Sequence, residues 1–373
     1  MVGHGAHCRK GKGMKKRMYI GGVRIFSSCD ELGQDFGASH YFDGLPAQRE
    51  LEAKLTRLLG RPTLATTRGM TAISAAVQML AGAEHTIVCS EDVYPGTRKY
   101  LNEFAERWLN RQVVWFDPIN PNRVLNEIDG SGLVFTEVIG NSRQMRVADV
   151  KFLEAVCRER VWPLVVDTTF TPQFRVEEDS PTIIVASMTK WHQAGDAEQG
   201  GLISGPAEVI GALADSQAYN IVRMSPRVAN HFSEGVGQTM RRYRKACRAT
   251  QSFAEIFSKS TAVEQVWYPG LESHPGHLFC NEFGGLAGGV FYVQMKGGEK
   301  AAVKLTDTLA NQQPYRSFRI GVSFGALDCR LLPWVGPLRK HTDVDGLVRV
   351  SPGWGMSLKK DQALLRQVLK SLE

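Results

Sequence analysis

Short, nearly continuous apolar runs alternate along this chain with segments whose apolar residues recur every three or four positions. The runs lie at 85–89, 112–116, 133–137, 163–166 and 183–186. Each is too short for a typical helix and most are rich in β-branched residues, so each predicts a strand buried on both faces. Amphipathic spacing predicts helices over 46–59, from 69 to about 82, and over 97–108, 120–129 and 148–158. The first of these begins at Pro46, sets Leu51, Leu55, Leu58 and Leu59 on one side, and stops at Gly60. Apolar strands alternating with amphipathic helices give an α/β class: a mostly parallel sheet covered on both faces.

After Gly201-Leu202-Ile203-Ser204 the pattern changes. A long, basic, helix-compatible stretch runs over 227–259, followed by strands near 263–267 and 289–293 and a helix near 301–310. The expected organisation is an N-terminal arm over 1–45, a large domain over 46–226, a linking helix over 227–259 and a smaller C-terminal α+β domain over 260–373. No internal repeat interrupts this order.

Composition adds little to that picture. Of 373 residues, 43% are hydrophobic and 22% charged, ordinary globular values. The formal charge of +7 invites a nucleic-acid reading, but much of it sits in Arg9-Lys10-Gly11-Lys12 and Lys15-Lys16-Arg17. A short basic terminal run of that kind reads as a tail rather than a binding surface. No apolar run has membrane-spanning length, and the tail lacks the apolar core of a secretory signal, so the expectation is a cytoplasmic protein without nucleic-acid or membrane partners. The seven cysteines are odd in number, widely spaced and without a CxxC pair. That argues against a disulfide framework and against a metal site, and leaves Cys89 and Cys157 as reduced core residues.

The candidate chemistry lies at strand ends. Val165-Val166-Asp167-Thr168-Thr169-Phe170 puts a carboxylate directly after one buried strand, and Ser187-Met188-Thr189-Lys190 puts a lysine just past another. A protein that uses pyridoxal 5'-phosphate (PLP) needs such a pair: an amine to bond the cofactor aldehyde and a carboxylate to keep the pyridine nitrogen protonated. Gly69-Met70 opens a helix, whose free N–H groups can hold a phosphate. Ser187 and Thr189 add hydroxyls beside the lysine. Tyr94 follows a third strand, where an aromatic can stack on a ring and its hydroxyl can move a proton. Asn141 follows a fourth. Taken singly, Gly69 is a packing glycine, Tyr94 and Asn141 are turn residues, and Ser187 is a strand-end hydroxyl. Taken together they fall where ligands bind in open α/β sheets, at the carboxyl ends of the strands.

These segments resemble the Cys/Met-metabolism family of PLP-dependent enzymes, which includes cystathionine γ-synthase, cystathionine β- and γ-lyases and methionine γ-lyase. Thr67-Arg68-Gly69-Met70-Thr71-Ala72-Ile73 resembles the family's phosphate turn, and Val93-Tyr94-Pro95-Gly96-Thr97 its stacking motif. Glu137 to Asn141, Val166 to Phe170 and Ser187 to Lys190 resemble its Glu-Thr-Pro-x-Asn-Pro, Val-Asp-Asn-Thr-Phe and Ser-x-Thr-Lys segments. Tyr268 to Pro275, Gly284-Gly285-Leu286, Ser323-Phe324-Gly325 and Arg349-Val350-Ser351 continue the likeness, which spans about 46–370. It implies PLP fold type I, with a seven-stranded-type sheet in the large domain. It also implies Lys190 as the cofactor lysine and proton shuttle, Asp167 on the ring nitrogen, and Asn141 near the cofactor hydroxyl. Tyr94 would stack on the ring and serve as an acid, while Ser323 and Arg349 would hold the α-carboxylate of an amino-acid substrate. The reaction expected is β/γ-elimination or γ-replacement in a homodimer or homotetramer. The substrate is then a thioether, an activated homoserine ester, or a residue with a leaving group such as halide.

The likeness has gaps. The family carries Tyr-x-Arg on its arm, where this chain reads His40-Tyr41-Phe42, so the arginine is missing. Arg68 replaces a small serine; it either supplies the lost phosphate charge or is a solvent-facing loop arginine. Pro95 follows Tyr94 in place of a small or polar residue. Trp191-His192-Gln193-Ala194-Gly195-Asp196-Ala197 replaces Tyr-Ile-Gly-Gly-His-Ser-Asp. His192 is then an acid/base, or an interface or packing histidine. The competing classes are an aminotransferase, a PLP-binding protein without catalysis, and a nucleic-acid binder that would rest on the basic tail alone.

Overall fold

All five apolar runs join one sheet. In the computed structural model the described residues are 18–20, 23–25, 46–82, 84–193, 197–220, 223–282, 284–312 and 317–373. The chain divides into two units, Met1–Pro46 and Ala47–Glu373. In the first, strands β1 (Met18–Ile20) and β2 (Val23–Ile25) pair antiparallel. Tyr41 and Phe42, and with them the altered arm motif, lie outside the described residues, as do Cys8 and Cys29.

In the second unit the large sheet comprises β3 (Thr63–Thr66), β4 (Thr86–Ser90), β5 (Val113–Phe116), β6 (Gly132–Glu137), β7 (Leu164–Asp167), β8 (Ile183–Ser187) and β9 (Gly201–Ser204). Its order is β3-β9-β8-β7-β6-β4-β5. The β8-β7-β6-β4-β5 run is parallel, and β9 and β3 join antiparallel. All residues of β4, β6 and β7 are buried, as uninterrupted apolar runs require. Helices Pro46–Leu59 and Gly69–Leu80 lie close to the bounds that periodicity gave, the first burying Leu51, Leu55 and Leu59.

A smaller sheet comprises β10 (Val263–Trp267), β11 (Phe291–Met295), β12 (Phe318–Ile320), β13 (Cys329–Pro333) and β14 (Leu347–Ser351), in the order β10-β11-β14-β13-β12. Its strands are antiparallel except for the β12–β13 pair. The basic stretch over 227–259 forms two helices, Pro226–Gly235 and Thr239–Ser258, with a 3-10 turn over Val236–Gln238. Arg242 of the longer helix is buried despite its charge, because it donates to the Trp191 and Gly235 carbonyls.

Several details depart from the periodic reading. Strand β3 and helix Ala207–Asn220 carry no pattern that set them apart from loop. The helix over 97–108 starts earlier, at Pro95, and widens into a π-helix over Tyr100–Glu106. The helix over 120–129 shortens to Asn122–Leu125. Cys89, Cys157, Cys247, Cys280 and Cys329 are free and buried. No described helix is long and apolar enough to cross a membrane.

Candidate functional site

Topology gathers the predicted residues at one edge of the large sheet. Strands β4, β6, β7 and β8 run parallel, so their carboxyl ends share that edge. Antiparallel β9 begins there at Gly201, which pairs with both Ser187 and Thr66. The Thr66 end of β3 therefore delivers the start of helix Gly69–Leu80 to the same edge.

Lys190 lies on the four-residue helix Met188–Trp191 that follows β8. Its Nζ donates to Ser323 Oγ at 2.8 Å and lies 5.1 Å from the Phe324 ring centre. Ser323 has a left-handed backbone, φ 75°, which a non-glycine residue rarely adopts. Its carbonyl oxygen accepts from Arg349 Nη2 at 3.2 Å, while Arg349 Nε is buried with no hydrogen-bond partner among the described residues. One residue thus touches both the lysine and the arginine. Gly325, at φ 81°, packs so closely that a Cβ there would meet the Lys190 carbonyl oxygen at 1.9 Å.

Asp167 ends β7 and is buried. Among the described residues its carboxylate is held by Thr169 alone, whose N–H donates to it at 2.7 Å. Burial pushes its pKa up to about 6, partly offset by Thr169. Beside it in the sheet register stands Glu137, also buried, which accepts from the Tyr94 N–H at 2.6 Å. Burial, and then the charge of Asp167, push the Glu137 carboxyl well above the usual range. Tyr94 is exposed over Gly96 and close to Met70: a Cβ on Gly96 would strike the Tyr94 ring at 2.4 Å and Met70 Sδ at 3.3 Å. The Asn141 N–H donates to the Asp92 carbonyl, and Gly140 leaves no room for a Cβ against the Asp92 side chain.

Gly69 opens its helix in contact with Ser187, whose Cβ lies 2.9 Å from where a Gly69 Cβ would stand. The start of the helix therefore packs against the strand end that leads to the lysine. The Ser187 N–H donates to Thr169 Oγ1, and Thr189 Oγ1 accepts from the Gly200 N–H, which leaves both candidate hydroxyls able to donate. Arg68 is the helix N-cap; its side chain is exposed and makes no hydrogen bond among the described residues. His192 is buried, and burial, reinforced by Arg242 and Arg175, pushes its pKa down to about 3. It is a neutral packing imidazole.

The donor set fits PLP. A buried carboxylate without a cationic partner among the described residues suits a pyridinium nitrogen. The glycine-lined helix start with two hydroxyls beside it suits a phosphate. An amine stands on the same sheet edge. The sequence reading missed three contributors: Glu137 as the seat of the Tyr94 amide, Asp92 and Arg146. Glu137 opens the segment 137–141 that carries the family likeness. Arg146, which grips Asp92 through Nε–Oδ2 at 2.7 Å and Nη2–Oδ1 at 2.6 Å, carried no local signal, because its partner is 54 residues away.

The chain is similar to known proteins over most of its length. The family profile described as "Cys/Met metabolism PLP-dependent enzyme" matches residues 28–333. The chain is 27% identical over 346 residues to cystathionine beta-lyase MetC of Bacillus subtilis, covering 86% of this chain and 83% of that one. It is 28% identical over 353 residues to L-methionine gamma-lyase of Porphyromonas gingivalis, covering 88% and 86%. Among solved structures, metB from Corynebacterium glutamicum superposes with TM-score 0.83 at 22% identity, over 97% of this chain and 94% of that one. Cystathionine gamma synthase from Xanthomonas oryzae superposes with TM-score 0.78 at 23% identity, over 90% and 88%. The last two establish the fold.

Proposed function

This chain belongs to the Cys/Met metabolism family of PLP-dependent enzymes, and we propose that it eliminates or replaces a substituent on the β- or γ-carbon of a small amino acid. The observation that carries this reading is the Lys190–Ser323–Arg349 chain of contacts, at 2.8 and 3.2 Å. It sets a proton-moving amine beside a guanidinium suited to a carboxylate.

Lys190 would hold the cofactor covalently and Asp167 would sit on its ring nitrogen. The Gly69 and Met70 amides with Ser187, Thr189 and Arg68 would take its phosphate, Tyr94 would cover the ring, and Asn141 would lie near its hydroxyl. Bound PLP supplies an electron sink for negative charge developing at the substrate α-carbon. The remaining steps belong to the protein. Arg349 pairs the substrate carboxylate bidentately, which satisfies its orphaned Nε and fixes the orientation of the α-carbon. Ser323 Oγ steadies Lys190 Nζ, and once the substrate's own amine has displaced it, that freed amine would take the α-proton. For γ-chemistry a second proton leaves the β-carbon, and the Tyr94 hydroxyl gives a proton to the departing group.

The relatives named above act as a cystathionine β-lyase and a methionine γ-lyase, which makes a thioether the first substrate class to test. An activated homoserine ester and a γ-halogenated amino acid are the others. We assign a homodimer or homotetramer on the same likeness, for light scattering to check. The deciding experiment offers each substrate class to PLP-loaded protein, with and without a thiol. Release of α-keto acid with thiol or halide, abolished in Lys190→Ala, is the expected result. Transfer of the amino group to an added keto acid, with the side chain intact, would make the protein an aminotransferase instead.

A further inference from the structure

The helix that carries Lys190 spans only Met188–Trp191, so most of its carbonyl groups lack intrahelical partners. Other groups supply them. The Met188 carbonyl keeps the helix's own bond, from the His192 N–H, while the Trp191 carbonyl takes Arg242 Nε at 3.1 Å. The Thr189 carbonyl takes Gln193 Nε2 at 2.9 Å.

Gln193 is fully buried, and its carboxamide is used to capacity. Besides Thr189, Nε2 donates to the Glu198 carbonyl at 2.6 Å. Oε1 accepts from the Glu198 N–H at 3.0 Å and from His231 Nε2–H at 2.9 Å. The two donors face carbonyls and the oxygen faces two N–H groups, which fixes the amide orientation. The far side of the loop closes on the same helix: the Met188 N–H donates to the Gly200 carbonyl, and the Gly200 N–H donates to Thr189 Oγ1. A single buried amide therefore ties Thr189 to Glu198, with His231 as its external anchor.

We propose that Gln193 is a positioning residue for Lys190, holding the lysine's short helix and the Thr189 hydroxyl in place through the Thr189 and Glu198 backbone. This rests on the reading of Lys190 as the cofactor lysine. A glycine at this position would leave the Thr189 and Glu198 groups to find other partners. A carboxylate would accept from the Glu198 N–H and from His231 but would repel both carbonyls.

Gln193→Met keeps volume and deletes the polar contacts, and Gln193→Glu keeps the acceptors alone. Both are compared with wild type by far-ultraviolet circular dichroism, by PLP titration of cofactor-free protein, and by pH titration of the visible band of PLP-loaded protein. The expected result is native-like dichroism, a PLP dissociation constant raised roughly 10-fold, and a shifted pH midpoint, because the Lys190 nitrogen has moved. Folded Gln193→Met with wild-type affinity and wild-type midpoint overturns the inference while leaving the functional reading intact. If Gln193→Met does not fold, His231→Leu removes only the outer anchor, and the same two readouts decide. Reductive trapping of PLP on wild-type protein, read by peptide mass, separates the two levels: a label on a lysine other than Lys190 overturns the functional reading and this inference with it.

Discussion

Glu137 and Asp167 stand opposite each other at the last register position of adjacent parallel strands, both buried. Two carboxylates so placed do not ionise independently. Asp167 is the more readily ionised of the two, since burial and the Asp167 charge push Glu137 well above the usual range, only partly offset by the Tyr94 N–H that it accepts. The pair thus links the ring-nitrogen candidate to the residue expected to cover the ring.

The first prediction follows from the raised pKa of Asp167, from 3.8 to about 6. A carboxyl raised on folding binds more protons in the folded than in the unfolded state. Cofactor-free protein therefore loses stability at this site as pH rises from about 4 through 6. Asp167→Asn removes that cost, which is on the order of 3 kcal/mol. Calorimetry of cofactor-free protein should find Asp167→Asn more stable than wild type at pH 8, with the difference closing toward pH 4. The same variant should bind PLP more weakly, because a neutral amide cannot hold a pyridinium. A cofactor-free Asp167→Asn that is less stable than wild type at pH 8 would contradict the argument.

Gly325→Ala tests the contact between the smaller sheet's loop and the lysine. The new Cβ would stand 1.9 Å from the Lys190 carbonyl oxygen, at a backbone φ of 81°. The backbone conformation alone costs about 1–2 kcal/mol, and the contact must also be relieved by moving Lys190 or the Ser323 loop. Gly60→Ala is the control, with φ 74° and no atom within 4 Å of its Cβ. Both variants should lose similar stability from strain. Only Gly325→Ala should slow attachment of PLP to Lys190 in rapid-mixing absorbance measurements. Equal attachment rates in the two would rule the contact out as a constraint on the lysine.

Arg146 is expected to be a stability determinant that also shapes the site. It grips buried Asp92 with two hydrogen bonds and reaches exposed Glu91 and half-buried Asp117 as well. The Asp92 carbonyl in turn receives the Asn141 amide. Arg146→Met leaves a buried carboxylate unpaired and should cost about 3–5 kcal/mol in urea unfolding. Asp92→Asn combined with Arg146→Met should recover most of that loss. A double variant no more stable than Arg146→Met would show that Asp92 is not the group that needs compensating.

The sequence carried those parts of the fold that rest on local pattern. Strands β4 to β8 are continuous apolar runs, and helix Pro46–Leu59 has its proline start, leucine stripe and glycine stop. Asp167 and Lys190 were legible because strand ends in an α/β sheet are where side chains meet a ligand. The four-residue strand β3 mixes threonine with small apolar residues and depends on β9 for its place. Arg146 acts through a partner that only the fold brings near, and Gln193 acts through the nearby Thr189 and Glu198 backbone, whose groups carry no residue signature, together with a distant anchor. For Gln193 the partner His231 is 38 positions away, and nothing in the local spacing announces it.

The last prediction concerns Arg68. In the family likeness, the arm arginine that would meet the cofactor phosphate is replaced by Phe42. The phosphate would otherwise be left to the helix start and two hydroxyls. Arg68 caps that helix immediately before Gly69, exposed and with no hydrogen bond to hold its guanidinium elsewhere among the described residues. A hydrogen bond to a charged group contributes about 1.5–3 kcal/mol, or roughly one to two decades in a dissociation constant. Arg68→Ser should therefore weaken PLP binding to cofactor-free protein by that factor. Arg68→Lys should retain part of the affinity, with charge kept but the planar fork lost. The exposed position adds a second signature: wild-type affinity should fall with added salt more steeply than that of Arg68→Ser. Fluorescence titration at two salt concentrations measures both effects. Equal affinities and equal salt dependence in wild type and Arg68→Ser would return Arg68 to the solvent-facing loop arginine that it otherwise resembles.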